Sequence, residues 1–313
     1  MSNHFVSIAM ATCNGEKFLP RQLESILAQT HQNFEIIICD DASKDKTQDI
    51  LSTYAKKDDR IKFFLNMANI GFVKNFEKAL SFCNGQYIAL ADQDDIWEKN
   101  KLEILISEIG PNSLIHSDCS IIDDQDNVLS LQWKKDSGDL LDIKSLLFKN
   151  VVTGCTILLK KELLKTALPF PENIAYHDWW LAICAAKDKK ICYTKKSLTR
   201  YRQHSEQNTG IGSNRKPSLL RDIYHNVINR LKNTDFHRAT VYRKQKQNLH
   251  AIKNIDCIRE HSLIIDDAML YFDNYLDNQI HIKTFFLGLK YHKILYPHKN
   301  YLYLKNFLLD IIG

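Results

Sequence analysis

Over its first third the chain switches repeatedly between two hydrophobic periods. Phe5 to Ala11 (FVSIAMA) is a short apolar run with β-branched residues, which predicts a strand. Lys17 to Gln29 then sets Leu19, Leu23, Ile26 and Leu27 on one face of a helix. Phe34 to Cys39 (FEIIIC) is strand-like again, and Asp45 to Ala55 reads as a helix with Asp45 at its N-cap. The same alternation continues through Ile61–Leu65, Gly71–Phe82, Gln86–Ala91 and Lys99–Ile109. Strand–helix alternation of this kind predicts an α/β, Rossmann-like domain with a parallel sheet covered by helices on both faces.

Past residue 112 the alternation loosens. Leu114–Cys119, Cys155–Leu159 and Ile191–Tyr193 read as strands, with helices over Ile143–Phe148 and Trp179–Ala186. SEQNTGIGSNRKPS, from Ser205 to Ser218, is the expected linker. Beyond it only helix-like segments follow: Arg221–Leu231, Arg238–Ile255, Leu263–Leu276 and Ile282–Leu289. The expected organisation is an α/β domain over residues 1–210 and a helical region over 211–313.

Charge supports that division. Residues 1–210 carry 26 Lys and Arg against 28 Asp and Glu; residues 211–313 carry 16 against 9. The second segment therefore faces something anionic or simply presents a solvated basic surface. The 8 cysteines are dispersed without a C-x-x-C pair, as expected of buried thiols in a reducing cytoplasm. No apolar run reaches the roughly 18 residues of a membrane span, and the amino terminus reads as a strand rather than a secretory signal.

In open α/β sheets ligands bind beyond the carboxyl ends of the strands. Here those ends carry Thr12-Cys13-Asn14-Gly15-Glu16, Asp40-Asp41-Ala42-Ser43, Asn69-Ile70-Gly71 and Asp92-Gln93-Asp94-Asp95. No G-x-G-x-x-G follows the first strand and no G-x-x-x-x-G-K-[ST] occurs, so a dinucleotide dehydrogenase and a P-loop nucleotidase are disfavoured. Converging carboxylates repel one another unless a cation or a hydroxyl-rich ligand lies among them. Asp92 and Asp94, one residue apart, suit a hard divalent cation that leaves positions open for phosphate oxygens. Asp95 is expected to cap the helix leading into Lys99–Ile109.

These segments, VSIAMATCNGEKFLP through CDDASKDKT, then NIGFVKNF and YIALADQDDIW, resemble the family 2 glycosyltransferases of GT-A fold. The subset they are most similar to includes bacterial rhamnosyltransferases and related enzymes of surface polysaccharide synthesis. VVTGCTILLKKELL, AYHDWWLA and YRQHSEQNTG extend the resemblance to about residue 210. It implies an inverting, Mg2+- or Mn2+-dependent transferase acting on a UDP- or dTDP-sugar and a glycan or lipid-linked glycan acceptor. Ala11, Thr12, Asn14 and Glu16 would border the nucleotide, Asp41 and Asn69 the base, and Asp92 with Gln93 the ribose or phosphate. Asp94 would ligate the metal, with His204 a weaker second ligand and Lys74 a helper at the diphosphate. Asp178 would be the general base, its alternative being a helix cap. Gly154 and Cys155 would line the acceptor cleft, and Trp179 and Trp180 either stack on the acceptor or fill the core. Two positions depart from the pattern: Cys13 where many relatives carry an aromatic ring, and His177 where many carry Glu.

A non-catalytic nucleotide-sugar-binding subunit is the alternative from another class; Asp94 and Asp178, both present, argue for the enzyme. For the basic helical region three readings stay open: peripheral contact with the inner face of an anionic membrane, pairing into a homo-oligomer, or a cap on the catalytic domain. No nucleic-acid module is recognised there.

Overall fold

The computed structural model describes residues 4–133, 140–203, 236–276, 286–288 and 290–295. His204, the linker and the expected helices over Arg221–Leu231 and most of Ile282–Leu289 lie outside the described residues.

The chain forms two compact units. The first comprises Met1–Leu146, Asn150–Phe170 and Tyr176–Gln207; the second comprises Leu147–Lys149, Pro171–Ala175 and Asn208–Gly313. The first is an α/β unit around one sheet. Its strands are β1 (Val6–Thr12), β2 (Phe34–Asp40), β3 (Ile61–Leu65), β4 (Tyr87–Ala91), β5 (Ile96–Trp97), β6 (Leu114–Ile122), β7 (Val128–Ser130), β8 (Ile157–Lys160) and β9 (Ile191–Arg202). The helices between them are α1 (Leu19–Leu27), α2 (Thr47–Lys57), α3 (Phe72–Phe82), α4 (Lys101–Glu108), α5 (Ile143–Phe148), α6 (Leu164–Ala167) and α7 (His177–Lys187). The sheet order is β3-β2-β1-β4-β8-β6-β9-β5, with β7 paired to β6.

Strands β1 to β4 are mutually parallel, and Thr12 lies level with Asp40 at their shared carboxyl edge. The parallel sheet read from the first four strands is present, and beyond β4 the sheet becomes mixed: β8 runs antiparallel to both β4 and β6, and β5 antiparallel to β9. Val6, Ile8, Met10, Ile36, Ile38, Ala89 and Ala91 form the main core with Leu19, Leu23 and Ile26 of α1 and Leu102 and Leu105 of α4. Strands buried on both faces read as unbroken apolar runs, which is why β2 (FEIIIC) is buried at every position.

Two caps differ from the sequence reading. Helix α2 begins at Thr47 with Lys46 at its N-cap. Asp45 lies one residue earlier, where its carboxylate accepts hydrogen bonds from the Thr47 N–H and hydroxyl at 3.0 and 2.5 Å. Asp95 does not cap α4, whose N-cap is Asn100; β5 intervenes.

The second unit contains α8 (Phe236–Ile252), α9 (Ser262–Leu276) and α10 (His292–Leu295). Its two short excursions from the earlier chain are fixed to these helices. The Gln245 side chain donates to the Leu147 carbonyl at 3.0 Å, and the Ala175 N–H donates to Asn248 at 2.7 Å. Phe148 packs against Tyr271 and Tyr291, with centroids 6.1 and 4.6 Å away. Among the described residues no helix is long and apolar enough to cross a membrane.

Candidate active site

The loops after β1 and β2 continue the strand pairing through side chains. Thr12 Oγ1 donates to Asp40 at 3.0 Å, the Asn14 N–H to Ser43 Oγ at 2.8 Å, and the Gly15 N–H to Thr47 Oγ1 at 2.8 Å. In return the Lys44 N–H donates to Asn14 Oδ1 and the Lys46 N–H to Glu16, at 2.8 and 2.9 Å. Asn14 holds a left-handed backbone (φ 49°), which a short polar side chain tolerates; Ala42 does so too (φ 57°), a conformation maintained by the surrounding bonds. Ala11 lies inside β1 beside Cys39.

Asp41 is buried, and its carboxylate faces the loop after β3. Oδ1 accepts from Asn66 Nδ2 and the Ile70 N–H at 2.9 and 2.8 Å, and Oδ2 accepts from the Gly71 N–H at 2.9 Å. Asn69 Nδ2 reaches Cys13 Sγ at 3.5 Å, so Asn69 borders the position where many relatives carry an aromatic ring. Gln93 clamps Cys13 from the other side: its Oε1 accepts from the Cys13 N–H at 2.9 Å and its Nε2 donates to the Cys13 carbonyl at 3.0 Å. A Cβ on Gly15 would lie 2.4 Å from Gln93 Oε1, so glycine is needed there for the clamp to close. Lys74, on the surface of α3, is ion-paired with Glu77 at 2.7 Å.

Beyond β4 the acidic residues gather. Ligand atoms of Asp92, Asp95 and Cys155 all lie within 4.8 Å of one another. Burial raises the Asp92 carboxyl well above the usual range, and the charges of Asp95, Asp94 and Asp178 add to it. Burial and Asp94 push Asp95 up to about 7. One oxygen of Asp95 accepts from the Arg202 N–H at 3.0 Å, whereas Oδ2 is buried with no hydrogen-bond partner among the described residues. Opposite stands a buried lysine: Lys101 Nζ donates to the Cys155 carbonyl at 2.5 Å and to Thr199 Oγ1 at 2.9 Å, and burial lowers it to about 8. Burial also raises the Cys155 thiol well above its ordinary value, and the side chain lies buried beside Asp92 and Asp95. Crowded, mutually repelling oxygen donors, with one Asp95 oxygen lacking a hydrogen-bond partner among the described residues, fit a hard divalent cation beside Asp92.

Asp178 lies in the first turn of α7, where unpaired helix N–H groups favour a negative charge. Its Oδ1 accepts from the Trp179 N–H at 2.6 Å and from Asn150 Nδ2 at 3.2 Å; Oδ2 accepts from the Gly154 N–H at 3.0 Å. Gly154 thus orients Asp178 directly: a Cβ there would sit 3.1 Å from His177 Nε2. His177 is buried, stacked on Phe76 at 4.0 Å, and burial lowers its ring below the ordinary histidine value, against the pull of Asp178. Trp179 and Trp180 are core residues and not an acceptor platform. They are 0% and 2% exposed, and their indole N–H groups donate to the carbonyls of Leu146 and Ala167 at 2.7 and 2.8 Å.

Three residues of the site escaped the sequence reading: Asn150, Lys101 and Arg202. Asn150 holds Asp178 with Nδ2 and takes the Val152 N–H on Oδ1 at 3.0 Å, but no motif marks a lone asparagine in a loop. Lys101 opens the charged-looking helix KLEILISE and reads as solvent-facing.

The model of the family described as glycosyl transferase family 2 matches residues 7–168. The UDP-Glc:alpha-D-GlcNAc-diphosphoundecaprenol beta-1,3-glucosyltransferase WfgD of Escherichia coli is 33% identical over 195 residues, 61% of this chain and 73% of the relative. Among solved structures, TarS of S. aureus in complex with UDP-GlcNAc superposes with a TM-score of 0.59 at 17% identity, covering 98% of this chain and 81% of that one. The mannosyltransferase PcManGT of Pyrobaculum calidifontis, in complex with GDP-Man and Mn2+, gives 0.52 at 14% identity, covering 98% and 84%. At those identities the structural likeness speaks for the fold, a GT-A-type α/β unit. With the family model spanning more than half of its residues and a relative of 33% identity beside it, the chain belongs to glycosyl transferase family 2.

Proposed function

We propose that the protein transfers a sugar, with inversion, from a UDP- or dTDP-linked donor to a hydroxyl of a lipid-linked glycan in surface polysaccharide assembly. One observation carries this reading: the Gly154 N–H holds the Asp178 carboxylate at 3.0 Å, and the next residue, Cys155, has its ligand atom within 4.8 Å of those of Asp92 and Asp95 beyond β4. The E. coli relative, whose acceptor is a GlcNAc on diphosphoundecaprenol, supports the lipid-linked acceptor.

The loops ending β1, β2 and β3 hold the nucleotide, with Asp41 fixing the Asn69–Gly71 segment that borders the base. Asp92 and Asp94 would hold the divalent cation, and His204 is a candidate third ligand. When bound, such a cation neutralises charge developing on the leaving diphosphate. Asp178 takes the acceptor hydroxyl proton through Oδ2, which accepts one hydrogen bond from the protein and keeps a second lone pair. Asn150 and the Trp179 N–H hold the carboxylate in that orientation. One base on the face opposite the leaving group gives inversion, whereas a retaining site needs a second carboxylate as nucleophile.

Helix α8 has four Lys and Arg and no Asp or Glu along Phe236–Ile252, which suits contact with anionic lipid. Sedimentation with anionic vesicles should fall as salt rises; binding indifferent to salt removes this part of the reading.

The test is nucleotide release from a panel of nucleotide sugars, with lipid-linked and soluble glycans as acceptors, with and without EDTA, and NMR of the product's anomeric configuration. EDTA-sensitive release with inversion is expected. Retention of configuration, or release undiminished by EDTA and by Asp94→Ala, overturns the mechanism.

A further inference from the structure

We infer that Lys101 is a positioning residue for the base: by holding the Cys155 carbonyl it fixes the Gly154 turn, whose N–H orients Asp178. This rests on the reading of Asp178 as general base and adds a buried residue to it.

Lys101 is the first residue of α4 and is 0% exposed. Both facts count against a lysine. A cation at a helix N-terminus opposes the helix dipole, and an ammonium taken out of water is costly unless its N–H groups find partners. The stability of α4 therefore does not account for the residue; what its ammonium touches does. Nζ donates to the Cys155 carbonyl at 2.5 Å and to Thr199 Oγ1 of β9 at 2.9 Å. It also lies 3.7 Å from the centre of the Trp97 ring of β5, a favourable place for a cation. The Cys155 carbonyl accepts from Thr199 Oγ1 as well, at 3.2 Å, so lysine and threonine grip one oxygen together.

That oxygen belongs to the turn that serves Asp178. Gly154, Cys155 and Thr156 form a single tight turn. It is closed on itself by the Thr156 N–H and hydroxyl, which donate to the Thr153 carbonyl at 3.0 and 2.7 Å. At its near end the Gly154 N–H donates to Asp178 Oδ2 at 3.0 Å; at its far end the Cys155 carbonyl is the group that Lys101 holds. The two bonds leave adjacent residues, so a Cys155 peptide that shifts takes the Gly154 N–H with it. The Cys155 side chain meanwhile lies beside Asp92 and Asp95, its ligand atom within 4.8 Å of theirs. The turn thus stands between the acids beyond β4 and the carboxylate of α7, and Lys101 ties it to α4, β5 and β9. An apolar side chain at position 101 would leave the oxygen to Thr199 alone.

The experiment measures kcat and donor KM, from nucleotide release with acceptor present, for Lys101→Met and Thr199→Val. Each is made in the wild-type chain and in Asp178→Asn, with circular dichroism recorded for all. Methionine keeps the length of the stem without its charge, and valine keeps the shape of threonine without its hydroxyl. Misplacing a reacting group by about 1 Å costs roughly 100-fold, so a shift of about half that should lower kcat about 10-fold in Lys101→Met. Thr199→Val, which leaves the lysine in place, should lower kcat by a smaller factor, and donor KM should stay within about threefold in both. In the Asp178→Asn background neither substitution should lower kcat further, because the group they position no longer takes a proton. Thr199→Val is the deciding variant if Lys101→Met does not fold. Unchanged kcat in folded variants, an equal loss in both backgrounds, or a raised donor KM with kcat intact overturns the inference. An Asp178→Asn chain with kcat within tenfold of wild type removes the base reading itself, and this inference falls with it.

Discussion

Replacing Asp178 by asparagine changes one atom and conflicts with three hydrogen bonds. The carboxylate accepts from Trp179 N–H and Asn150 Nδ2 on Oδ1 and from Gly154 N–H on Oδ2. An amide has a single acceptor oxygen. Facing Trp179 and Asn150, it turns its NH2 toward the Gly154 N–H; facing Gly154, it turns NH2 toward the Trp179 N–H. Either way two donors oppose each other, which costs about 1–3 kcal/mol, the price of an unsatisfied polar pair. For a unit of this size that is a fall of roughly 2–10 °C in melting temperature. The effect on rate is larger, because an amide cannot take the acceptor proton: loss of a general base lowers kcat by about 10²–10⁴, a barrier rise of about 3–5 kcal/mol. Donor binding, measured calorimetrically with Mn2+, should stay within about threefold, since removing a charge that raises Asp92 does not weaken the cation site. The assay is nucleotide release with acceptor present, on protein whose circular dichroism matches wild type. A folded Asp178→Asn protein with kcat within tenfold of wild type refutes the assignment of this residue as the base.

Gly154→Ala should act on the same carboxylate from behind. The new methyl would lie 3.1 Å from His177 Nε2, and His177 cannot retreat because Phe76 stacks on it at 4.0 Å. A shift of a few tenths of an ångström in Asp178 should lower kcat about tenfold with donor KM unchanged; unchanged kcat would mean that the site absorbs the methyl. Trp179→Phe removes the donor to the Leu146 carbonyl and should lower stability by about 1–3 kcal/mol in urea denaturation without altering acceptor KM; the reverse result would return Trp179 to the cleft. Glu35 supplies a pH dependence. Burial alone would raise its carboxyl, but hydrogen bonds from Ser7, Lys62 and the Asn84 N–H outweigh that and hold it below its ordinary value. A depressed folded-state pKa gives stability that is present above the unfolded pKa, near 4.3, and lost as pH falls through the folded one. Glu35→Gln should therefore be less stable than wild type at pH 7, by about 1–2 kcal/mol, with the gap closing toward pH 3. A gap constant with pH would deny the carboxylate this role.

The first four strands were legible because each is a short apolar run ending in turn and carboxylate residues, so both the strands and the chemistry at their ends appear in one dimension. Asp41, Asp92 and Asp94 stood out for the same reason, whereas Asp178, in the first turn of α7, stood out through the AYHDWWLA resemblance. Strand β9 was visible only over Ile191–Tyr193: its continuation TKKSLTRYR is polar, and its pairing with β6 shifts register around Asp118, so it has no clean period of two. Residues that depend on β9 were hidden with it. Lys101 is buried because Thr199 and the Cys155 carbonyl take its ammonium, and Arg202 is buried because the Asp94 carbonyl, the turn at Asp123 and Asp126 and the Phe18 ring converge on its guanidinium. Asp95 was misread because an acid shortly before a helix is so often its cap; the two residues of β5 follow it instead, and it lies beside Cys155 in the turn before β8.

The direction of β8 explains why the site closes at all. In a wholly parallel sheet Cys155, at the start of its strand, would sit at the amino edge, a strand's length from Asp92. Because β8 runs antiparallel to β4, with Ala89 beside Leu158 and Tyr87 beside Lys160, its first residues arrive at the carboxyl edge. The tight turn Gly154–Thr156 is thereby set against the end of β4, and Gly154 carries Asp178 with it through its N–H. One reversal of strand direction thus brings the helix that carries Asp178 to the edge where the parallel strands deliver their carboxylates. Changes to the loops after β1, β2 and β3 should consequently alter donor affinity, and changes at the Gly154 turn should alter kcat.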